Sequence, residues 1–214
     1  MINNTDGINE FKEIEAGSSN QAISDLIRYI EDKLPGFTTS TEFFDITQKK
    51  KNENQYSLSL SLYMTHGSKY DFMRENAQKG SHSIDIGVYQ GSNLIFTIET
   101  KVLPTPKKNQ RKEHEYVYGK GAGIQRFRDG FHGVDNQDNP LSENGMIAYI
   151  KEKDFEHWFS KVNRWILDAG WNKSEQLQKV YFKSTARLFS EHPREKSSVI
   201  SLYHFWFSIP SVSI

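Results

Sequence analysis

Residues 83–101 read SIDIGVYQGSNLIFTIETK, and no other stretch narrows the possible folds as much. Two apolar runs flank a turn-forming Gly-Ser-Asn. Ile84, Ile86 and Val88 alternate with Asp85, Gly87 and Tyr89, while Leu94, Phe96 and Ile98 alternate with residues that lead to Glu99 and Lys101. Successive strand side chains point to opposite faces, and a one-residue slip would mix apolar with polar. A common apolar face therefore pairs Ile86 with Ile98 and Val88 with Phe96. That register leaves Gly91, Ser92 and Asn93 as a three-residue turn. It also sets Asp85 opposite Glu99, with Cβ atoms about 5 Å apart.

Two facing carboxylates repel each other, and a shared divalent cation relieves the repulsion. Mg²⁺ takes oxygen ligands, typically one or two carboxylates plus water and substrate phosphate. Mn²⁺ is the alternative ion. Lys101, on the Glu99 face, adds a point charge that can orient or deprotonate a water or neutralise charge forming at phosphorus. The letters Glu-x-Lys occur three times, at Glu10, Glu31 and Glu99. Only the third copy ends an apolar strand and faces an aspartate across a hairpin. The competing reading is a solvated strand face whose charges only keep it soluble. Glu75, just before the hairpin, is a candidate further acidic metal ligand.

The remaining pattern supplies layers around this hairpin. A helix is predicted with Ser18 and Gln21 as a capping box and Ile23, Leu26, Ile27, Ile30 and Leu34 on one face, stopped by Pro35 and Gly36. Residues 47–55 read as a solvated loop. Residues 56–64 alternate Leu58, Leu60 and Leu62 with serines, the pattern of a half-buried strand. Residues 72–80 read as a polar connection. A short helix over 121–130 buries Ile124 and Phe127, and a strand follows at 146–150. Asp154 caps a helix carrying Phe155, Trp158, Phe159, Val162 and Ile166. Two strands close the chain, at 186–189 and 199–209, joined by a turn holding His192 and Arg194. The order predicts an α/β (α+β) architecture, a mixed sheet covered by helices in one domain spanning 1–214.

Composition limits the function classes. The 214 residues carry 27 basic and 27 acidic side chains, so any polyanion site is a local patch rather than a global field. Cysteine is absent, which excludes disulfides, thiolate metal sites and a cysteine nucleophile. The polar N-terminus does not read as a signal peptide, and no apolar run spans a bilayer, so a cytoplasmic protein with no membrane partner is expected. GKGAG lacks the Gly-Lys-Ser/Thr ending of a phosphate loop. The local patch lies between residues 101 and 130, where eight basic residues stand against three acids. Lys107, Lys108, Arg111, Lys112, Lys120 and Arg126 are its candidate nucleic-acid contacts, with Tyr116 and Tyr118 interleaved.

Asp85 in SIDIGV with Glu99 and Lys101 in FTIETK resembles the PD-(D/E)xK nuclease superfamily, whose fold is that of many restriction endonucleases. Ile84 stands where the family usually has proline. GAGIQRFRDGFHG, GMIAYI and SEHPREKSSVISLYHFWF resemble segments downstream of the motif in bacterial members. The resemblance implies a restriction endonuclease-like central mixed sheet of four or five strands flanked by helices. It implies Asp85 and Glu99 holding Mg²⁺, Lys101 assisting water, and hydrolysis of a phosphodiester in DNA. It also implies Gln125 facing the site from the following helix, an acid such as Glu31 near the metal from the first helix, and a bacterial defence or mobile-element setting. A homodimer or a partner protein of such a system would be its company. A silent nucleic-acid-binding or scaffold subunit on the same fold is the rival, and a small-molecule phosphodiesterase a third reading.

Overall fold

A computed structural model describes residues 20–48, 51–106, 111–119, 122–194 and 197–210. Seven strands form one mixed sheet in the order β1-β2-β3-β4-β7-β6-β5. They are β1 (Asp71–Ala77), β2 (Ser83–Gln90), β3 (Asn93–Leu103), β4 (Glu143–Ile150), β5 (Gln178–Phe182), β6 (Thr185–Arg194) and β7 (Ser197–Ser208). The central neighbours β3, β4 and β7 run parallel, and the outer pairings are antiparallel. The resemblance implied four or five strands; the sheet has seven, because its edge strands β1 and β5 are built from partly polar sequence.

Helices cover both faces. On one, α1 (Gln21–Lys33), α2 (Thr41–Thr47) and α3 (Glu53–Thr65) enclose a core with Leu26, Ile30, Leu60 and Met64 packed among Phe96, Ile98, Tyr149 and Phe205. On the other, α4 (Gly123–Arg128) and α5 (Phe155–Asp168) bring Ile124, Phe127, Trp158, Val162 and Ile166 against Met146, Ala148, Leu202 and Trp206. The strand β4 is apolar almost throughout because alternate residues feed both cores, as parallel strands buried on two sides do. No helix among the described residues is long and apolar enough to cross a membrane.

The predicted pairs Ile86–Ile98 and Val88–Phe96 are observed, but the expected Asp85–Glu99 pair is not in the ladder, and Ile84 packs in the opposite core from Ile86 and Val88 because the strands part beyond Ile86. The hairpin turn is tighter than expected. Gln90 pairs with Asn93, leaving Gly91 and Ser92 at the tip, and a bulge between Val88 and Tyr89 takes up the extra residue. Gly91 has φ of 62°, the left-handed region such a turn demands.

Four other expectations are corrected. Residues 56–64 are not a strand but the body of α3, capped by Asn52 through the Gln55 amide. Serine is small enough to let this helix lie against the sheet, so Ser57, Ser59 and Ser61 are buried together with Leu60 while Leu62 is exposed, which no strand alternation gives. The segment 47–55 is correspondingly a helix end and a helix start, not one loop. Residues 72–80 contain most of β1, an edge strand that buries Phe72 and exposes Asp71, Met73, Glu75 and Ala77. Finally, His192 and Arg194 lie on β6 and are buried, not in a turn. The cap of α1 is Asn20; the expected cap Ser18 lies outside the described residues.

Candidate active site at the open end of the hairpin

The pairing of β2 with β3 starts at Ile86 and Ile98. Beyond that pair, Thr100 has no ladder partner on β2, and Asp85 takes the place of one. Its Oδ2 accepts from the Thr100 amide and from the Thr100 hydroxyl, both at 2.8 Å. The same hydroxyl meets Ser57 Oγ of α3 at 2.8 Å, and Tyr149 donates to that serine at 3.4 Å. Asp85 thus sits in the fork between the strands, held through Thr100.

Glu99 and Lys101 point together from β3 and are almost wholly buried, at 2% and 4% exposure. Lys101 Nζ donates to Glu99 Oε1 at 2.5 Å. Arg126 of α4 stands 3.7 Å from the same oxygen. Burial pushes the Glu99 carboxyl up to about 7, and the nearby charge of Asp85 adds to the rise; Lys101 and Arg126 pull against it. Burial works equally to strip Lys101 of its proton, but Glu99, Glu53 and Asp85 outweigh it and hold the ammonium above its ordinary range. The three residues picked from the hairpin therefore form one interacting cluster.

Two further side chains belong to it that sequence reasoning missed. Glu53, in the first turn of α3, accepts from the Val102 amide at 3.2 Å and faces Lys101. It was hidden inside a segment read as a solvated loop. His132 has Nδ1 3.5 Å from Glu99 Oε2 and is fully buried. Its only signal was its place in the GFHG turn after α4, near nothing in sequence.

The other candidates fall elsewhere. Glu75 lies on β1 with its side chain 70% exposed, paired to its neighbour Arg74. Gln125 accepts from the Gly119 amide and so braces the loop before α4, while the next residue, Arg126, is the one that reaches Glu99. Glu31 pairs with Arg187 of β6 at 2.8 Å. Arg111 is bound between Glu115 at 2.8 Å and Glu53 at 3.4 Å, so its charge is spent within the molecule. Lys112 is exposed. Lys107, Lys108 and Lys120 lie outside the described residues.

Fold and site together define a mixed α/β protein with a buried acid–lysine cluster where a central hairpin opens. No family model, curated protein or solved structure matches the chain. Among the described residues, no three His, Asp or Glu side chains converge as a ready-made metal cluster.

Proposed function

We propose that this chain is a metal-dependent nuclease of restriction endonuclease-like fold, hydrolysing phosphodiester bonds in DNA, in a bacterial defence or mobile-element setting. The observation that carries the reading is the cluster itself: Asp85, Glu99 and Lys101 interact where the pairing of the hairpin ends beyond Ile86 and Ile98. A purely solubilising strand face would be exposed, and Glu99 and Lys101 are buried.

The donor set fits a divalent cation. Asp85 and Glu99 offer hard carboxylate oxygens, and Glu99 is held in a dry place where a cation would offset the cost of its charge. A bound Mg²⁺ or Mn²⁺ supplies polarisation of the phosphoryl group and a more acidic water. Asp85 would reach it by turning from Thr100. Lys101, kept cationic by three carboxylates, fits a role in orienting the water and balancing charge at phosphorus rather than removing a proton. Arg126, near the mouth of the cluster, is the cation best placed to meet a substrate phosphate.

One observation favours the rival, a silent binding subunit. Each charge of the cluster already has a protein partner: Asp85 with Thr100, Glu99 with Lys101, Arg111 with Glu53. The two readings separate in one assay. Plasmid, linear duplex and single-stranded DNA are incubated with Mg²⁺ or Mn²⁺ and in parallel run on a mobility-shift gel. The nuclease reading predicts cleavage that a chelator abolishes. DNA shifted but uncut under every metal condition would assign the chain to the silent class.

A further inference from the structure

His132 is the most anomalous polar residue near the cluster. It is 0% exposed, and neither ring nitrogen has a partner in hydrogen-bond geometry, although a backbone group of Ser83 lies close by. An unpartnered buried polar group costs on the order of 1–3 kcal/mol. A phenylalanine would fill the same slot without that cost.

The ring is nonetheless held firmly. Arg194 donates to the carbonyls of Phe127, His132 and Gly133 at 2.9–3.0 Å. Gln78 bonds the amides of Gly133 and Val134 from the other side. Gly133 has φ of 76°, and a Cβ there would lie 2.5 Å from the Arg194 guanidinium, so only glycine lets this clamp close. The backbone that carries His132 is thus fixed from two directions while its side chain bonds nothing.

The direction of the ring gives the reason. Nδ1 stands 3.5 Å from Glu99 Oε2, longer than a hydrogen bond. Two donors on one ion, each at about 2.1 Å, stand about 3.0–3.5 Å apart at octahedral to tetrahedral angles. Lys101 and Arg126 both address Oε1, which leaves Oε2 turned to the histidine. An imidazole also adds a donor without adding charge beside two cations.

We propose that His132 Nδ1 and Glu99 Oε2 are two ligands of one divalent ion, completed by water and by Asp85 once it turns from Thr100, and that the centre therefore selects Mn²⁺ over Mg²⁺. The proposal rests on the nuclease reading for the chemistry of the centre and on His132 alone for its metal. Imidazole suits transition ions, whereas Mg²⁺ binds through oxygen and keeps its waters.

The test is binding and spectroscopy on the whole chain, without substrate. Titration calorimetry with each ion is paired with electron spin-echo modulation of the Mn²⁺ complex, which reports a directly bound nitrogen. The wild type should bind Mn²⁺ about tenfold or more tighter than Mg²⁺ and show ¹⁴N modulation. His132→Phe should lose the modulation and about tenfold or more of the Mn²⁺ affinity, with Mg²⁺ far less affected and the unfolding midpoint not lowered. The wild-type spectrum decides even if the variant fails to fold: no ¹⁴N modulation overturns the proposal. Equal binding of both ions, lost in Glu99→Gln but indifferent to His132→Phe, overturns the histidine and leaves the carboxylate centre standing. No binding of either ion overturns both.

Discussion

Between Glu99 and Lys101 stands Thr100, whose amide and hydroxyl both hold Asp85 while its hydroxyl also meets Ser57. Glu99 and Lys101 were legible because strand alternation puts them on one face, whereas Asp85 meets Thr100 in the fork instead of pairing with Glu99. The supporting residues were not legible, because Glu53, Ser57 and His132 come from elements that approach only in three dimensions. The same limit hid a buried chain behind the sheet. Glu175 bonds His192 at 3.0 Å, His192 and His204 both meet Ser190 at 2.8 Å, and His204 meets the Tyr116 hydroxyl at 2.7 Å, which also accepts from Trp206. Tyr116, interleaved in the basic segment, is fully buried and serves this chain rather than a ligand. Tyr116→Phe keeps the ring but leaves His204 Nδ1 and Trp206 Nε1 each without a partner. It should cost about 2 kcal/mol or more, read from the urea midpoint at unchanged slope.

The elements that sequence pattern placed well are those whose period matched their burial. The hairpin, β4 and α5 each bury the positions their apolar spacing names, and Asp154 caps α5 through the His157 amide at 2.8 Å as expected. The helix α3 failed because SLSLSL has the period of a strand, and only packing shows that its serines turn inward together with Leu60. Ser57, Ser59 and Ser61 satisfy their hydroxyls on Glu53, Tyr56 and Phe72 carbonyls, so small polar residues can sit in a tight interface. Ser59→Leu should therefore overpack the helix–sheet contact and cost about 1–3 kcal/mol, while Leu62→Ser should change stability by about 0.5 kcal/mol or less. A strand over the same residues would give the opposite order in a denaturant titration.

At the scale of the molecule, layering on both faces of the sheet followed from the alternation of element types, but the strand count did not. The outermost strands β1 and β5 are half polar and look like loops until paired. The buried histidines give the whole protein a pH signature. Burial lowers the affinity of His132, His192 and His204 for a proton, that of His132 to about 3. Below the ordinary histidine range the unfolded chain binds more protons at these three histidines than the folded one, so stability falls with acid. Glu99 works the other way: its raised folded pKa stabilises the protein below about 4.5 and that contribution is lost as pH rises to about 7. Three against one leaves net proton uptake on unfolding. Stability without metal should drop by about 1–3 kcal/mol per pH unit between pH 6 and pH 5, measured by denaturant unfolding. A flat or rising stability over that window would contradict the buried, neutral histidines.

The claim that most needs a direct test is that the hairpin cluster cuts DNA. Nicking of supercoiled plasmid is followed for the wild type, Glu99→Gln and Lys101→Met in Mg²⁺ and in Mn²⁺, with circular dichroism confirming each fold. Methionine is preferred to alanine because it fills the lysine's buried volume. Cleavage by the wild type that falls about a hundredfold or more in both variants is the predicted result. Cleavage that survives both substitutions in a folded protein, or a wild type that never nicks, would contradict it.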